Sequence, residues 1–246
     1  MKLTGRTILI TGGSAGIGLA FALKFAELGN EVIVTGRRQA VLDALKAKHP
    51  KLHTIQSDAA DPAQIAALAA RVKADFPKLD VLMNNAGIMV SKNLTAPAAD
   101  LTALMVEMDV NVGGAMTSAL IDLLIANRGT VINVSSGLAF VPVPAAPVYS
   151  APKAAVHSYT QSLRFQLEDT DVDVIELMPP GVRTDMTTEL VEGGISLDHH
   201  RRVGEAVLCV SQGGRAGDPA WAIQTAGVYA APRSQFHQQA TLEGFY

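Results

Sequence analysis

The 246-residue sequence holds a single cysteine, Cys209, so it can form neither an internal disulfide nor a cysteine zinc cluster. That cysteine suits packing better than nucleophilic work. Aromatic residues are scarce, at 5%, which argues against a base-stacking platform. Charge is scarce too, at 17%, with 20 basic against 23 acidic side chains. The resulting net charge of −3 gives no electrostatic footprint for nucleic acid. A long apolar run is missing at the N-terminus, where Ile8–Ile10 is too short for a signal-peptide core. A cytoplasmic protein is therefore expected. One uncharged stretch, Thr130–Pro152, runs 23 residues, but it contains Pro142, Pro144, Pro147 and Pro152 beside Asn133, Ser135 and Ser136. Such a stretch makes a poor membrane helix and reads as a buried strand followed by an apolar loop. No membrane partner is expected. His199-His200-Arg201-Arg202 lacks further ligands at metal spacing and reads as a solvated helix face, so no metal is expected.

What is abundant is apolar residues, 48% of the chain, enough for a large core. Short β-type runs alternate with helical patterns. Thr7–Thr11, Glu31–Thr35, Leu52–Gln56, Val81–Asn84, Thr130–Val134 and Val172–Leu177 predict strands. Ala15–Leu28, Gln39–Lys48, a segment opened by Asp61-Pro62, Leu101–Asn127 with a break near Gly113-Gly114, and Val148–Asp169 predict helices. This rhythm predicts an α/β fold, a three-layer doubly wound parallel sheet in one domain over residues 1–246. Beyond Met186 the pattern loosens into glycine-rich segments, with a substrate-loop region at about 185–217 and only a weak strand candidate at Ala226–Ala230.

Between the first strand and first helix lies Thr11-Gly12-Gly13-Ser14-Ala15-Gly16-Ile17-Gly18. Glycines there permit a tight turn and close approach of a pyrophosphate, while the helix N-terminus offers amide donors and a favourable dipole. A glycine-rich turn with packing duties alone is the plainer alternative. The same letters contain Gly12-x-Ser14-x-Gly16, the pattern of a hydrolase nucleophile elbow. Only eleven residues precede Gly12, which leaves no upstream loop for an oxyanion hole.

Further along, Ser136 precedes Tyr149 by 13 residues, and Lys153 follows Tyr149 by four, on one face of a helix. An ammonium beside a phenol favours the phenolate, so the tyrosine pKa is expected to fall below its usual value of about 10. Together with the glycine loop, Asn84-Asn85-Ala86-Gly87, Asn111 and Pro179–Thr184, the pattern resembles the short-chain dehydrogenase/reductase family over residues 1 to about 190. The opening residues and Thr35-Gly36-Arg37-Arg38 resemble its DltE-like bacterial branch.

The resemblance implies a Rossmann-type fold and an NADP(H)-dependent oxidoreductase acting on a ketone, aldehyde or secondary alcohol. Tyr149 would be the general acid or base, and Ser136 would hydrogen-bond the substrate oxygen. Lys153 would hold the nicotinamide ribose and tune Tyr149, and Asn111 would anchor a proton-relaying water. Gly12, Ser14, Gly16, Ile17 and Gly18 would cradle the pyrophosphate. Asp58 would contact the adenine, although helix capping is its alternative and Asp61 already stands before Pro62. Asn85, Ala86 and Gly87 would pass the adenosine side, with bracing of the sheet the alternative for Asn85. Pro179, the Val182 backbone and the Thr184 hydroxyl would meet the carboxamide end. Strand-end capping remains an alternative for Ser136, and helix capping or breaking for Asn111.

At the end of the second strand, Val34-Thr35-Gly36-Arg37-Arg38 lacks the acid that holds a ribose 2′-hydroxyl. Arg37 and Arg38 are instead expected to meet a 2′-phosphate, and NADPH to be preferred. The apolar segment Leu138–Val148 implies a small hydrophobic carbonyl or alcohol substrate. Two departures from the family stand out. Pro152 lies between Tyr149 and Lys153, so the helix is expected to begin near Val148, and the C-terminal tail is atypical for a family of homodimers and homotetramers. A catalytically silent NADP-binding regulator on the same fold is the rival reading.

Overall fold

The computed structural model describes residues 4–89, 101–143, 146–179, 182–183 and 195–196. Strands β1 (Thr7–Ile10), β2 (Glu31–Gly36), β3 (Leu52–Gln56), β4 (Val81–Asn84), β5 (Thr130–Val134) and β6 (Asp173–Leu177) form one parallel sheet in the order β3-β2-β1-β4-β5-β6. Helices α1 (Gly16–Glu27), α2 (Gln39–Lys48), α3 (Pro62–Asp75), α4 (Leu101–Val112), α5 (Gly114–Ala126) and α6 (Pro147–Gln166) connect them. A second, two-residue pair joins β7 (Val182–Arg183) to β8 (Ile195–Ser196). The order reverses between β1 and β4, the switch point at which such sheets open a ligand crevice beyond their carboxyl ends.

Side-chain alternation builds the three layers. Ile8 and Ile10 of β1 pack with Phe21 and Phe25 of α1 and Leu42 and Leu45 of α2. Leu9 points the other way, into Ile65, Leu68 and Val72 of α3 and Leu120 and Leu124 of α5. Both sheet faces are covered, which explains strands almost free of polar interruption.

Local chemistry sets the boundaries. Asp61 caps α3, accepting from the amides of Ala63 and Gln64, with Pro62 in the first turn. Gly113 adopts φ +66° and divides the expected long helix into α4 and α5. The span Met105–Ala126 has the length and mean hydropathy, 1.3, of a membrane-crossing helix. It nevertheless comprises two helices, and α5 packs against α3 and the sheet. Helix α6 starts at Pro147, one residue before the expected Val148, so Pro152 sits in its second turn and denies the Val148 carbonyl its helical donor. The helix continues through it. The weak strand at Ala226–Ala230, the loop at 185–217, Cys209 and His199–Arg202 lie outside the described residues.

Candidate active site

The glycine loop is fixed from below. Thr11 Oγ1 accepts from the amides of Asn85 and Ala86, both at 3.0 Å. Asn85 Nδ2 donates to the carbonyls of Thr11 (3.0 Å) and Gly12 (3.2 Å). Gly12 has φ +63°, and a Cβ there would come within 2.8 Å of Ala86 Cα. A Cβ on Gly18 would collide with the Asn85 amide. Asn85 therefore spends its side chain bracing the loop, the alternative expected for it, and Gly18 permits that close approach. Ile17 packs against the core beneath.

This loop suits a dinucleotide. Gly16 opens α1 at φ +55°, and the N-cap, Ala15, has no side chain able to cap the first-turn amides. Those donors are left for an anion. Ser14 Oγ lies against Gly36, where a Cβ would come within 2.7 Å of it, so the loop and the end of β2 meet. Arg37 and Arg38 follow there and are exposed, and the Arg37 carbonyl is anchored by Gln56 Nε2 at 2.8 Å. Asp58 stands after β3, its Oδ1 accepting from the Ala60 amide at 3.0 Å, while Asp61 does the helix capping.

Four further groups gather beyond β4 and β5. Lys153, on α6, is buried and donates to the Val134 carbonyl at 2.9 Å. Its Nζ lies 5.5 Å from the centroid of the Tyr149 ring, one helical turn earlier. Asn111, on α4, is also buried. Its Nδ2 donates to the Ile88 and Glu107 carbonyls, each at 2.8 Å, and its Oδ1 accepts from the Ile88 amide at 3.2 Å. A Cβ on Gly87 would sit 2.7 Å from Asn111 Oδ1 and 3.8 Å from Lys153 Nζ. Gly87 thus lets Asn111 approach the backbone closely, with Lys153 alongside. Ser136 Oγ accepts from the Leu138 amide at 3.2 Å, so its hydroxyl proton is aimed elsewhere. The turn it caps, Gly137–Ala139, packs against α6.

The electrostatics depart from the expected phenolate. Loss of solvation, and then the negative field of Glu107, push Tyr149 up to about 12. Burial pushes Lys153 down to about 8. The lysine lies over the ring and bonds to a backbone carbonyl, so in the protein alone desolvation outweighs the attraction that the spacing suggests.

Sequence reasoning passed over Glu107, Glu176 and His157. Each left a trace. Glu107 lies one turn before Asn111. His157 continues the four-residue stripe of Tyr149 and Lys153. Glu176 is the one acid inside an otherwise apolar strand end, Val174–Leu177. Pro179 follows β6, Val182 is described only as backbone in β7, and Thr184 lies outside the described residues. Among the described residues, no cluster of three or more histidine, cysteine or acidic side chains is placed to hold a metal.

A sequence model of the short chain dehydrogenase family matches residues 6–194. The chain belongs to that family. It is 45% identical over 187 residues to the uncharacterized oxidoreductase DltE of Bacillus subtilis, covering 75% of this chain and 74% of that one. A serine 3-dehydrogenase of Rhizobium radiobacter is 34% identical over 184 residues, 74% of each chain. A short chain dehydrogenase from Burkholderia cenocepacia, crystallised with NADP, superposes with a TM-score of 0.77 at 28% identity, covering 97% of this chain and 93% of that one. The protein is an oxidoreductase of the short-chain dehydrogenase type on a Rossmann-like fold.

Proposed function

We propose that the protein transfers hydride reversibly between NADP(H) and a small hydrophobic ketone, aldehyde or secondary alcohol. The observation that carries this reading is the convergence of groups at Gly87. Asn111 Oδ1 and Lys153 Nζ both approach it, Tyr149 stands one turn from Lys153, and the glycine loop abuts Ala86 next door. A cofactor held by the glycine loop and Arg37 would bring its nicotinamide end toward these groups. When bound, the nicotinamide supplies or accepts the hydride.

The chain's own groups handle the oxygen and its proton. Ser136 donates its free hydroxyl proton to the carbonyl oxygen and holds it. Tyr149, a phenol at neutral pH, gives that oxygen its proton during reduction and takes it back during oxidation. Lys153 bonds the cofactor ribose and places positive charge beside the ring. Asn111, clamped to Ile88, keeps one Oδ1 lone pair for a water that refills the proton.

Arg37 and Arg38 favour the 2′-phosphate, hence NADPH over NADH. Phe140, Val141 and Val143, all exposed on the segment after Ser136, support an apolar substrate. A cytoplasmic location is part of this reading, as is a homodimer or homotetramer, the latter supported by the exposed apolar Met105 on α4 and Phe165 on α6. The test is fluorescence titration with NADPH and NADH, followed by a panel of ketones and aldehydes monitored at 340 nm. Tighter NADPH binding and carbonyl-dependent oxidation are expected. NADPH binding without turnover of any carbonyl or alcohol would favour the silent regulator, and light scattering of the purified protein tests the oligomer.

A further inference from the structure

Outside the site lies a partly buried polar cluster that hydride transfer does not use. Glu176, on β6, is fully buried. Its Oε1 accepts from Ser135 Oγ at 2.6 Å, and its Oε2 lies 2.9 Å from His157 Nδ1 on α6. Gln161 Nε2 stands 2.7 Å from His157 Nε2. With the amide donating to Nε2, the imidazole proton is on Nδ1 and goes to Glu176. The His157 ring also packs edgewise on Phe140, with centroids 4.5 Å apart.

These ties fall on both sides of Ser136. Ser135 precedes it and is held by Glu176; Phe140 ends the turn that follows it and is held by His157. Between them, Leu138 N donates to Ser136 Oγ, Ala139 N to the Ser136 carbonyl, and Phe140 N to the Gly137 carbonyl. A short turn of this kind has weak hydrogen bonds and little stability of its own. A buried carboxylate is expensive unless its oxygens are bonded, and here each oxygen is spent on the frame of one segment.

We propose that Glu176 and His157 are positioning residues that fix Ser136 by anchoring its segment at both flanks. The proposal rests on the oxidoreductase reading, because positioning Ser136 matters where its hydroxyl meets a substrate oxygen. Neither residue touches substrate or cofactor. A hydroxyl misplaced by an ångström loses much of its effect on the reaction.

Two measurements test this on the intact chain. The first is hydrogen exchange. Ser135→Ala and His157→Ala should each speed exchange of the Leu138–Phe140 amides at least tenfold, leaving Val131–Val134 protected. Unchanged protection of the turn overturns the proposal, whether or not a carbonyl substrate is ever found. The second is a double-mutant cycle on carbonyl reduction with NADPH. Each single variant should lower kcat roughly tenfold while the NADPH Kd stays within twofold. In a Ser136→Ala background, neither should cost anything further. A full additional loss in that background, or a parallel loss of NADPH affinity, also overturns it. Glu176→Gln can still accept from Ser135 and donate to His157, with Gln161 turning its amide over. It should keep near-wild-type exchange and kcat. Should the alanine variants fold poorly, Glu176→Leu removes both ties without leaving a buried charge unpaired and should speed exchange of the turn at least tenfold; unchanged exchange there overturns the proposal. Intact NADPH binding, normal exchange effects and no turnover of any carbonyl would count against the oxidoreductase reading alone.

Discussion

Lys153 Nζ reaches the Val134 carbonyl at 2.9 Å and lies 5.5 Å from the centre of the Tyr149 ring, so the pair is stacked and not hydrogen-bonded through the phenol. Burial moves the two groups in opposite directions, Tyr149 up to about 12, with Glu107 adding to the rise, and Lys153 down to about 8. Around neutral pH the protein alone presents a phenol, the form that reduction consumes. Oxidation requires the phenolate, which positive charge supplied by an oxidised nicotinamide would favour.

Glu107 gives this a direct test. It is fully buried on α4, and its charge raises Tyr149 after desolvation has done so. Glu107→Gln keeps the shape and removes the charge. The Tyr149 titration should move to lower pH, read as the tyrosinate absorbance difference between this variant and its Tyr149→Phe counterpart. The rising limb of alcohol oxidation should move down with it. A Tyr149 titration unmoved by the substitution would mean that Glu107 does not act on the phenol.

Lys153 makes a prediction about stability. Its folded pKa, about 8, lies below the ordinary 10.5, so between those values the native state holds fewer protons than the unfolded state. Stability then rises with pH across that window, and the penalty of the buried ammonium is felt in full only below about pH 8. At about 1.36 kcal/mol per pH unit, the gain is on the order of 3 kcal/mol. Tyr149, raised from 10.0, acts in the opposite direction but only above pH 10. Urea unfolding of the wild type should show this gain between pH 7.5 and 10 relative to Lys153→Met. Parallel stability curves would place the lysine's titration elsewhere.

Most of the sheet was legible because its strands are buried on both faces and read as apolar runs. All six strands fall within a residue of expectation, and α2 matches at both ends. Gly113 showed as a break because the left-handed conformation adopted there favours glycine. Helix α6 begins at Pro147, within a residue of the start near Val148 that Pro152 suggested, and it continues through the proline. At the site, Lys153 lies over the Tyr149 ring one turn away, as their four-residue interval implied. Their protonation was not legible, because it depends on burial and on Glu107, which a four-residue interval cannot convey. The bracing role of Asn85 and the anchoring of Ser135 by Glu176 join residues 73 and 41 positions apart, and no local pattern encodes such pairs.

Arg37 is exposed at the end of β2 with its carbonyl anchored by Gln56, so the turn is set while the guanidinium is available. A charge-assisted bond to a 2′-phosphate contributes about 1.5–3 kcal/mol. Arg37→Ala should therefore weaken NADPH binding by about 10- to 100-fold and leave NADH binding nearly unchanged. Fluorescence titration of both cofactors measures the ratio. A variant that retains the full NADPH preference would shift the assignment to Arg38 or remove it from this turn.

Ser14 and Tyr149 separate the oxidoreductase from the hydrolase that Gly12-x-Ser14-x-Gly16 also spells. A nucleophilic serine needs a base within hydrogen-bonding reach. Ser14 Oγ lies against Gly36, and among the described residues no hydrogen bond joins it to a histidine. His157 is engaged by Glu176 and Gln161, and His53 faces Glu31 at 3.5 Å. Ser14 is thus placed to shape the phosphate loop. Ser14→Ala should weaken NADPH affinity by a few-fold and leave kcat nearly intact. Tyr149→Phe removes the proton donor and should lower kcat by about 10²–10⁴-fold with NADPH affinity preserved. Both variants are to be assayed for carbonyl reduction and for hydrolysis of a p-nitrophenyl ester. An esterase activity that disappears with Ser14→Ala and survives Tyr149→Phe would assign the chemistry to Ser14 and overturn the oxidoreductase mechanism.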